Sequence, residues 1–574
     1  MSLRVRYATL ASALLAFVVV SRGRAQTPFP SDAGVHQRVD SLFAAWDKPN
    51  SPGCALGVFR NGELMYGRGY GMANLDDGIP ITTMSVFNIG SMSKQFTAAC
   101  IVLLSQQGKL TLDDDVRKYI PELPDYGKTI TIRHLLNHTS GLRDYPNLLV
   151  LAGGQLEQVV TADDALDIVV RQKELNFNPG EEWMYSNTGY FLASLIVRRV
   201  SGMSLGMFAR KNIFEPLGMK NTMILDDHTT IVPHRATGYS PRLRGGFQVN
   251  MSNWELTGDG GVQTSIEDLV LWDRNFANPV VGGPELIAQL LTPGRLNNGE
   301  ALHYALGIEV GSHRGLEMFG HEGIWAGYRS DYRRFPEQRL SVVCLCNLAT
   351  MNPLSLTQQV ADIYLAGQGK DGVQKDPGLT GAHETMTLTP GQLSLYAGHY
   401  RNPAAELMRT IILKNGKLMY VRGPASETEL TPIAAGKFRM VGVPIETDVT
   451  FVTDESGKVS GMQVVSSDGS RVDFEPCTPA TPSREQLVEY TGTFRSDELG
   501  VNYAVALIDS QLIVKIGRSE TNPMAPTVAD MFTIEGFAVF RFTRNHTGAI
   551  DGFLLSQSKI RNLMFRKMDQ TQNQ

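Results

Sequence analysis

The stretch SMSKQFTAACIVLLSQQGKL, residues 91–110, is the most informative segment of the chain for its architecture. Its middle, FTAACIVLL, is apolar on almost every side, which is typical of a helix buried inside a domain. The pattern predicts a helix that begins at Ser91 and ends at Gly108. On such a helix Ser91 and Lys94 lie one turn apart on the same face, so their side chains can meet.

Ser91 and Lys94 are residue types that can act as a nucleophile and its base. At a buried helix start a lysine loses hydration, which lowers its pKa and lets it take the serine proton. The helix N-terminus also helps to hold developing negative charge. The S-x-x-K spacing alone is not specific, because Ser556 and Lys559 share it. Strand geometry with a period of two puts those two on opposite faces, so we interpret that copy as a solvated strand face.

A different nucleophile is suggested by GMSLG, residues 202–206, which fits G-x-S-x-G with Ser204 at its centre. A nucleophile elbow needs a strand before the serine and a helix after it. The preceding YFLASLIVRRVSG is instead typical of a helix that ends in Ser-Gly. We therefore predict that Ser204 caps the next helix and is not a nucleophile.

A second polar motif, Tyr185-Ser186-Asn187, is predicted to lie in a turn between an extended run and a helix. A tyrosine hydroxyl near a serine–lysine pair can relay a proton to a leaving group. An asparagine amide can orient both the substrate and the lysine. Tyr185 and Asn187 are therefore candidate site residues.

A third motif, His321-Glu322-Gly323, is predicted to open a strand. Gly323 permits a close backbone approach, and the amide of Ile324 could join that of Ser91 as an oxyanion hole. His321 is a candidate for shaping the binding site. The sequence HEGIW lacks the second histidine of a zinc-binding H-E-x-x-H, so we predict no metal.

The composition excludes some classes of function. A length of 574 residues favours about two to four domains. The net charge is −5 and the sequence has no long basic run, so it predicts no basic surface for binding nucleic acid. The five cysteines are few and odd in number, and Cys344 and Cys346 would face the same side of a strand, a poor disulfide geometry. We expect a protein that does not depend on disulfides.

The N-terminus has the layout of a secretory signal peptide: basic residues, an apolar run over residues 8–20, then small residues before a plausible cleavage site. The apolar run is too short to span a bilayer comfortably. We therefore expect an exported protein, periplasmic or secreted, with no stable membrane insertion after cleavage.

The C-terminal part is a repeat. LSLYAGHYR (393–401) and LVEYTGTFR (487–495) align at an offset of 94 residues, as from Tyr396 to Tyr490. Many short amphipathic strands in modules of this size favour closed sheets, because closure removes exposed edges. The predicted division is a signal peptide (1–25), a catalytic domain (26–370), a linker (371–389) and two β-barrel-like modules (390–478 and 479–574).

The three motifs together resemble the signature elements of the penicillin-recognising serine hydrolases, which include class C β-lactamases, D-alanyl-D-alanine carboxypeptidases, D-aminopeptidases and related esterases. The sequence around these motifs, between residues 35 and 365, is also similar to that family. The similar segments are GYGMANLDDGIPITTMSVFNIGSMSKQFTA, TIRHLLNHTSGLRDY, FNPGEEWMYSNTGY, IFEPLGMKNT and GGVQTSIEDLVLW. The resemblance implies an α+β fold of the β-lactamase/transpeptidase type. In it, an antiparallel sheet flanked by helices joins a helical subdomain, with the active site between them.

The resemblance also implies residue roles. Ser91 would be acylated, Lys94 and Tyr185 would share the general acid and base work, and Asn187 and His321 would shape the binding site. Water would then release the acyl group, with no metal or organic cofactor.

The third motif departs from the Lys-Thr-Gly that β-lactamases and carboxypeptidases usually have, where the lysine helps to hold a substrate carboxylate. A histidine there resembles the D-aminopeptidase and esterase branches. The two β modules resemble the D-aminopeptidase layout, in which an accessory module reaches toward the catalytic cleft. Aminopeptidase action needs a carboxylate for the substrate ammonium group, and the sequence does not identify one.

These observations predict an exported serine hydrolase with a Ser91 acyl-enzyme, of the D-aminopeptidase type, whose partner is a small-molecule or short-peptide substrate such as a D-amino acid amide. One alternative is a β-lactamase-like esterase or weak β-lactamase with the same machinery. A second alternative is a catalytically silent protein that binds peptidoglycan-like peptides. The presence of Ser91, Lys94 and Tyr185 argues against this second alternative, because a protein that only binds peptides does not need a nucleophile beside its base.

Overall fold

The computed structural model describes residues 33–368, 386–403, 407–423, 426–443, 447–466, 471–516, 520–534 and 537–568. The predicted signal peptide and most of the predicted linker lie outside these residues. The α-helices of the described part are α1 (Ala33–Phe43), α2 (Lys94–Gln106), α3 (Ile132–Leu136), α4 (Tyr145–Leu151), α5 (Ala162–Val170), α6 (Asn187–Ser201), α7 (Leu205–Ala209), α8 (Glu215–Leu217), α9 (Ile266–Ala277), α10 (Gly283–Leu291), α11 (Pro353–Tyr364), α12 (Pro390–Ser394) and α13 (Arg484–Glu489).

The strands before the C-terminal repeat are β1 (Cys54–Arg60), β2 (Glu63–Tyr70), β3 (Met72–Asn74), β4 (Ile79–Pro80), β5 (Phe87–Asn88), β6 (Met223–Ile224), β7 (Tyr239–Pro241), β8 (Phe247–Val249), β9 (Val262–Thr264), β10 (Glu309–His313), β11 (Leu316–Trp325), β12 (Tyr328–Phe335) and β13 (Leu340–Cys346). The main sheet has six antiparallel strands in the order β10-β11-β12-β13-β1-β2. A smaller sheet has the order β5-β9-β6.

The inner strands β1, β12 and β13 of the main sheet are buried on both faces, and strand β1 shows why. Leu56 and Val58 belong to an apolar cluster with residues of α1 and α11. Ala55 and Phe59 belong to a second cluster, which contains the helical part of the domain. A strand covered on both faces reads as a continuous apolar run, as CALGVF does. The predicted α+β fold with a helix-flanked antiparallel sheet is confirmed.

The segment around residues 91–110 forms a buried helix, as predicted. A single 3₁₀ turn, Gly90–Ser93, leads directly into α2, whose residues from Lys94 to Leu104 are all buried. The expected start at Ser91 therefore falls inside the 3₁₀ turn, one turn before the regular α-helix. This tight turn places the side chain of Ser91 at the beginning of a helix that the domain surrounds.

The stretch around Ser204 forms a helix cap, as predicted. Helix α6 ends at Ser201, and Gly202 has a left-handed backbone with φ of 73°. The Ser204 Oγ then accepts a hydrogen bond from the amide of Met207 at 3.2 Å, at the start of α7. No single described helix is long and apolar enough to cross a bilayer; α6 and the following Leu205–Leu217 meet that test only together, with a bend of 71°.

The expectation that the chain does not depend on disulfides is wrong. Cys54 and Cys346 are bonded across strands β1 and β13, where they are direct partners in the strand register. The sheet closes a sequence separation of 292 residues, which local spacing could not reveal. Cys344 lies on the same side of β13, with its Sγ 3.5 Å from that of Cys346, and it is a free thiol.

The C-terminal repeat forms two closed barrels, as predicted from its short alternating strands. In the first, Tyr396 packs edge-on against Phe438 with ring centroids 5.1 Å apart; the equivalent rings of the second barrel, Tyr490 and Phe532, are 4.9 Å apart. The strands are β14 (Gly398–Asn402), β15 (Leu407–Lys414), β16 (Lys417–Gly423), β17 (Ser426–Ala434), β18 (Lys437–Met440), β19 (Thr447–Thr453), β20 (Val459–Ser466), β21 (Arg471–Cys477), β22 (Gly492–Ser496), β23 (Val501–Ile508), β24 (Gln511–Ile516), β25 (Glu520–Pro526), β26 (Met531–Ile534), β27 (Ala538–Arg544), β28 (Ile550–Gln557) and β29 (Ile560–Lys567).

The second barrel shares its core with the catalytic domain. One apolar cluster includes residues of α4 and of strands β22–β29, whereas the first barrel has a cluster of its own. The Tyr503 hydroxyl donates to the Leu151 carbonyl at 2.7 Å. At the same interface Arg143 pairs with Glu498 at 2.6 Å, with side-chain exposures of only 1% and 7%. These contacts fix the second barrel against the helical side of the domain.

We expect Glu498→Ala to lower the free energy of unfolding by roughly 3–5 kcal/mol, because it leaves the buried Arg143 charge without its partner. Chemical denaturation of the full chain measures this change. The control Glu475→Ala breaks an exposed ion pair with Arg401 and is expected to cost less than about 1 kcal/mol. Equal shifts for the two variants would contradict the importance of the buried pair.

Candidate active site

Ser91 and Lys94 meet at the start of α2. The Lys94 Nζ donates to the Ser91 Oγ at 3.0 Å. The same ammonium nitrogen also reaches the Asn187 Oδ1 at 2.9 Å and the Asp259 carbonyl at 2.7 Å. Three acceptors thus hold a fully buried lysine against a serine hydroxyl, and the nitrogen has little freedom to move away.

The burial of Lys94 changes its chemistry. Loss of hydration, the largest cause, lowers the pKa of Lys94 to about 7. The Asp259 carboxylate opposes this shift, whereas the positive charge of Lys559 adds to it. A substantial fraction of Lys94 is therefore a neutral amine near pH 7, and a neutral amine can accept the Ser91 proton.

Tyr185 lies beside the same pair. Its ring centroid is 5.0 Å from the Lys94 Nζ. Burial raises the pKa of Tyr185 well above its usual range. The nearby Ser91 hydroxyl opposes that rise but lies outside ordinary hydrogen-bond geometry, and the phenol has no hydrogen-bond partner among the described residues. A protonated phenol with an uncommitted hydroxyl can donate a proton to a leaving group.

Asn187 is the first residue of α6, where its backbone is fixed by a residue that the sequence did not suggest. The Asn187 amide donates to the Asp144 Oδ1 at 2.6 Å. Asp144 stands at the N-cap of α4 but makes no side-chain cap there. Its carboxylate instead positions Asn187, whose own side chain faces Lys94. Asp144 lies in TIRHLLNHTSGLRDY, one of the segments that resemble the family. That resemblance is the signal that could have identified it.

Asp259 is the other residue that sequence reasoning missed. Its carbonyl accepts from Lys94, and its carboxylate accepts from the Tyr145 hydroxyl at 3.1 and 3.0 Å. Burial raises the pKa of Asp259, while the charge of Lys94 opposes the rise. The residue lies in the glycine-rich GDGG, residues 258–261, a composition typical of a loop. Only the folded chain brings this loop to Lys94.

The third motif lies inside a strand and does not open one, which corrects the sequence prediction. Strand β11 begins at Leu316, before His321. The first half of β11 pairs with β10, for example Gly320 with Glu309. That pairing extends the strand toward its N-terminus, beyond what the local pattern indicated.

Gly323 allows β11 to touch the Ser91 turn backbone to backbone. A Cβ atom added at Gly323 would lie 1.9 Å from the Ile89 carbonyl oxygen. On the other side of this contact, Gly90 has φ of +49°, and a Cβ there would lie 2.6 Å from the Ile324 nitrogen. The amides of Ser91 and Ile324 are therefore neighbours, as an oxyanion hole requires.

His321 is neutral in this setting. Burial lowers the pKa of His321 to about 4, and the Glu309 carboxylate only partly opposes this shift. The Nδ1 faces the Glu322 carbonyl and must donate to it, which leaves Nε2 to accept from the Tyr304 hydroxyl at 2.9 Å. His321 thus fixes the site wall without providing a positive charge for a substrate.

The interpretation of Ser556 and Lys559 as a solvated strand face is wrong. Ser556 is buried and accepts a hydrogen bond from the Asn562 amide at 3.1 Å. Lys559 lies in the turn after β28, with its Nζ 4.8 Å from the centroid of the Tyr185 ring. The period-two argument fails because the strand ends before Lys559, and the turn faces the catalytic domain.

The sequence is similar to a known protein family and to several curated proteins. The Beta-lactamase family model matches residues 39–364. Penicillin-binding protein 4* of Bacillus subtilis (strain 168) is 33% identical over 301 residues, which cover 50% of this chain and 66% of that protein. The D-aminopeptidase of Gluconobacter oxydans (strain 621H) is 31% identical over 297 residues, which cover 52% of this chain and 56% of that protein. The matches thus span between about half and two thirds of these relatives.

The fold also matches a solved structure, the octameric penicillin-binding protein homologue from Pyrococcus abyssi. The TM-score is 0.54 at 21% sequence identity, and the match covers 76% of this chain and 99% of that chain. At this identity the likeness shows the fold alone.

The family match covers more than half of the chain and contains all three motifs. The resemblance stated from the motifs is therefore confirmed. The chain belongs to the Beta-lactamase family, with D-aminopeptidases and a penicillin-binding protein among its homologues.

Proposed function

We propose that this enzyme forms an acyl-enzyme at Ser91 and hydrolyses amides or short peptides of D-amino acids. The observation that carries the chemistry is the hydrogen bond of 3.0 Å between a buried Lys94 of lowered pKa and the Ser91 hydroxyl. The D-aminopeptidases among the relatives support the class of substrate. The signal-like N-terminus supports export to a periplasm or to the medium.

Acylation would begin when the neutral Lys94 takes the Ser91 proton as the serine oxygen attacks the substrate carbonyl carbon. The amides of Ser91 and Ile324 would hold the developing oxyanion. Tyr185 would give its proton to the leaving nitrogen and recover one from the Lys94 ammonium. Water would then attack the ester, with its proton passing to the same pair, and release the acid and Ser91.

The first test is release of p-nitroaniline from D-alanine p-nitroanilide by the full chain. We expect release that Ser91→Ala abolishes, because no other described serine hydroxyl receives a hydrogen bond from a buried lysine. Ser204→Ala is the matched control: it removes a helix cap from the competing G-x-S-x-G motif and should retain activity within about twofold.

Two outcomes of this test would redirect the assignment. Ser91-dependent cleavage of p-nitrophenyl esters, with no cleavage of anilides, would favour the esterase alternative. Failure of a fluorophosphonate probe to label Ser91, together with no turnover of any substrate, would favour the peptide-binding alternative.

The pKa of Lys94 predicts the acid limb of the pH profile. Below about 7 Lys94 is protonated and cannot accept the Ser91 proton, so kcat/KM should fall as the pH drops through that value and level off above it. A profile of the initial rate between pH 5 and pH 9 measures this limb. A flat profile in that range would exclude Lys94 as the base.

The uncommitted hydroxyl of Tyr185 predicts a dependence on the leaving group. Tyr185→Phe keeps the ring but removes the proton donor, so we expect kcat for an anilide to drop by roughly 10²–10⁴. The p-nitrophenyl ester of the same acyl group should lose far less, because its leaving group departs without a proton. Equal losses on the two substrates would assign Tyr185 a role in packing only.

A further inference from the structure

The turn between β28 and β29 carries a positive charge from the second barrel into the candidate active site. The Lys559 Nζ lies 4.8 Å from the centroid of the Tyr185 ring, and the Lys94 Nζ lies 5.0 Å from the same centroid. Two ammonium groups therefore approach one phenol. The positive charge of Lys559 also helps to lower the pKa of Lys94, although burial has the larger effect.

The backbone of this turn is fixed to the catalytic domain. The Lys559 carbonyl accepts from the Asn176 Nδ2 at 3.0 Å, and the Asn176 Oδ1 accepts from the Arg561 amide at 2.7 Å. The Arg561 guanidinium binds both carboxylate oxygens of Glu182 at 3.0 and 2.9 Å. Lys559 is therefore presented at a defined place on a rigid support.

Among the residues that the structure describes, the ammonium group of Lys559 has no partner of opposite charge. Within the described ranges no carboxylate lies within 4.0 Å of it, and it makes no hydrogen bond, whereas the ammonium of Lys94 has three acceptors. Lys559 is half-buried beside a second cation. A charge in that position attracts an anion and repels a cation, because burial strengthens both interactions.

The position of Lys559 also indicates the side of the site that it serves. In the proposed mechanism Tyr185 protonates the leaving nitrogen, so a group over the Tyr185 ring lies beside the leaving group. His321, on the wall formed by β11, is neutral and bonded to Tyr304, so it offers no charge to a substrate carboxylate.

We propose that Lys559 binds the carboxylate of the leaving amino acid, and that the enzyme prefers peptides whose scissile bond precedes a free C-terminal residue. The pairing of an ammonium with a carboxylate is a charge-assisted hydrogen bond, one of the stronger polar contacts. The proposal rests on the proposed function and narrows its substrate class from D-amino acid amides to D-peptides with a free carboxylate. Lys559 is a specificity-determining residue that takes no part in proton transfer.

The first experiment measures binding without turnover, so that it does not depend on the proposed reaction. Titration calorimetry compares D-alanyl-D-alanine with its C-terminal amide on the full chain carrying Ser91→Ala. We expect the acid to bind roughly tenfold more tightly than the amide. Adding Lys559→Gln should remove this difference, whereas adding Lys515→Gln, at an exposed lysine on strand β24 of the same barrel, should preserve it.

The second experiment measures hydrolysis of the same two peptides by the chain with Ser91 intact. We expect kcat/KM to favour the acid by roughly tenfold, and Lys559→Gln to remove this preference. The readout is the ratio of kcat/KM for the two peptides, measured at pH 9, because the loss of the Lys559 charge also acts on the pKa of Lys94 and this effect is common to both peptides. Equal binding of acid and amide, or a preference that survives Lys559→Gln, would overturn the role of Lys559. Selective binding without any hydrolysis would instead contradict the proposed function and leave the role of Lys559 supported.

Discussion

The burial of one amine, the Nζ of Lys94, is the constraint on which the site depends. An ammonium ion at the start of a helix that is apolar on almost every side loses its hydration, and three oxygen acceptors compensate. In the described part of the chain no carboxylate contacts this nitrogen directly. A direct carboxylate would stabilise the charged form and make the amine a poor base at neutral pH. Neutral acceptors hold the nitrogen in place and still allow it to lose a proton.

The second requirement is a contact between two backbones. Gly90 and Gly323 let the serine turn and strand β11 approach more closely than any side chain allows. This approach brings the amides of Ser91 and Ile324 close together. His321, which precedes Gly323 in the motif, is buried, neutral and bonded to Tyr304, so this wall of the site carries no charge.

The sequence predicted those parts of the site in which the chemistry and the local pattern coincide. Ser91 and Lys94 are one turn apart at the start of a continuous apolar segment that indicates a buried helix, and Tyr185 and Asn187 flank another helix start. It could not predict contacts that depend on pairing between distant segments, such as the Cys54–Cys346 disulfide. Lys559 was misjudged for the same reason: a periodicity argument extends only to the end of a strand, and the surface that receives the turn belongs to another domain.

The duplication of the barrel adds a consequence for how this enzyme could change. The position in the first module that corresponds to Lys559 is Asp468, and that which corresponds to Ser556 is Val465. The two copies of the repeat thus differ in the sign of the charge at this aligned sequence position, although Asp468 lies outside the described residues. The second copy packs against the catalytic domain. Because Lys559 belongs to the second barrel, a substitution in that barrel alone can change the charge beside Tyr185 and leave Ser91, Lys94 and Tyr185 in place, so the choice of substrate can evolve separately from the reaction.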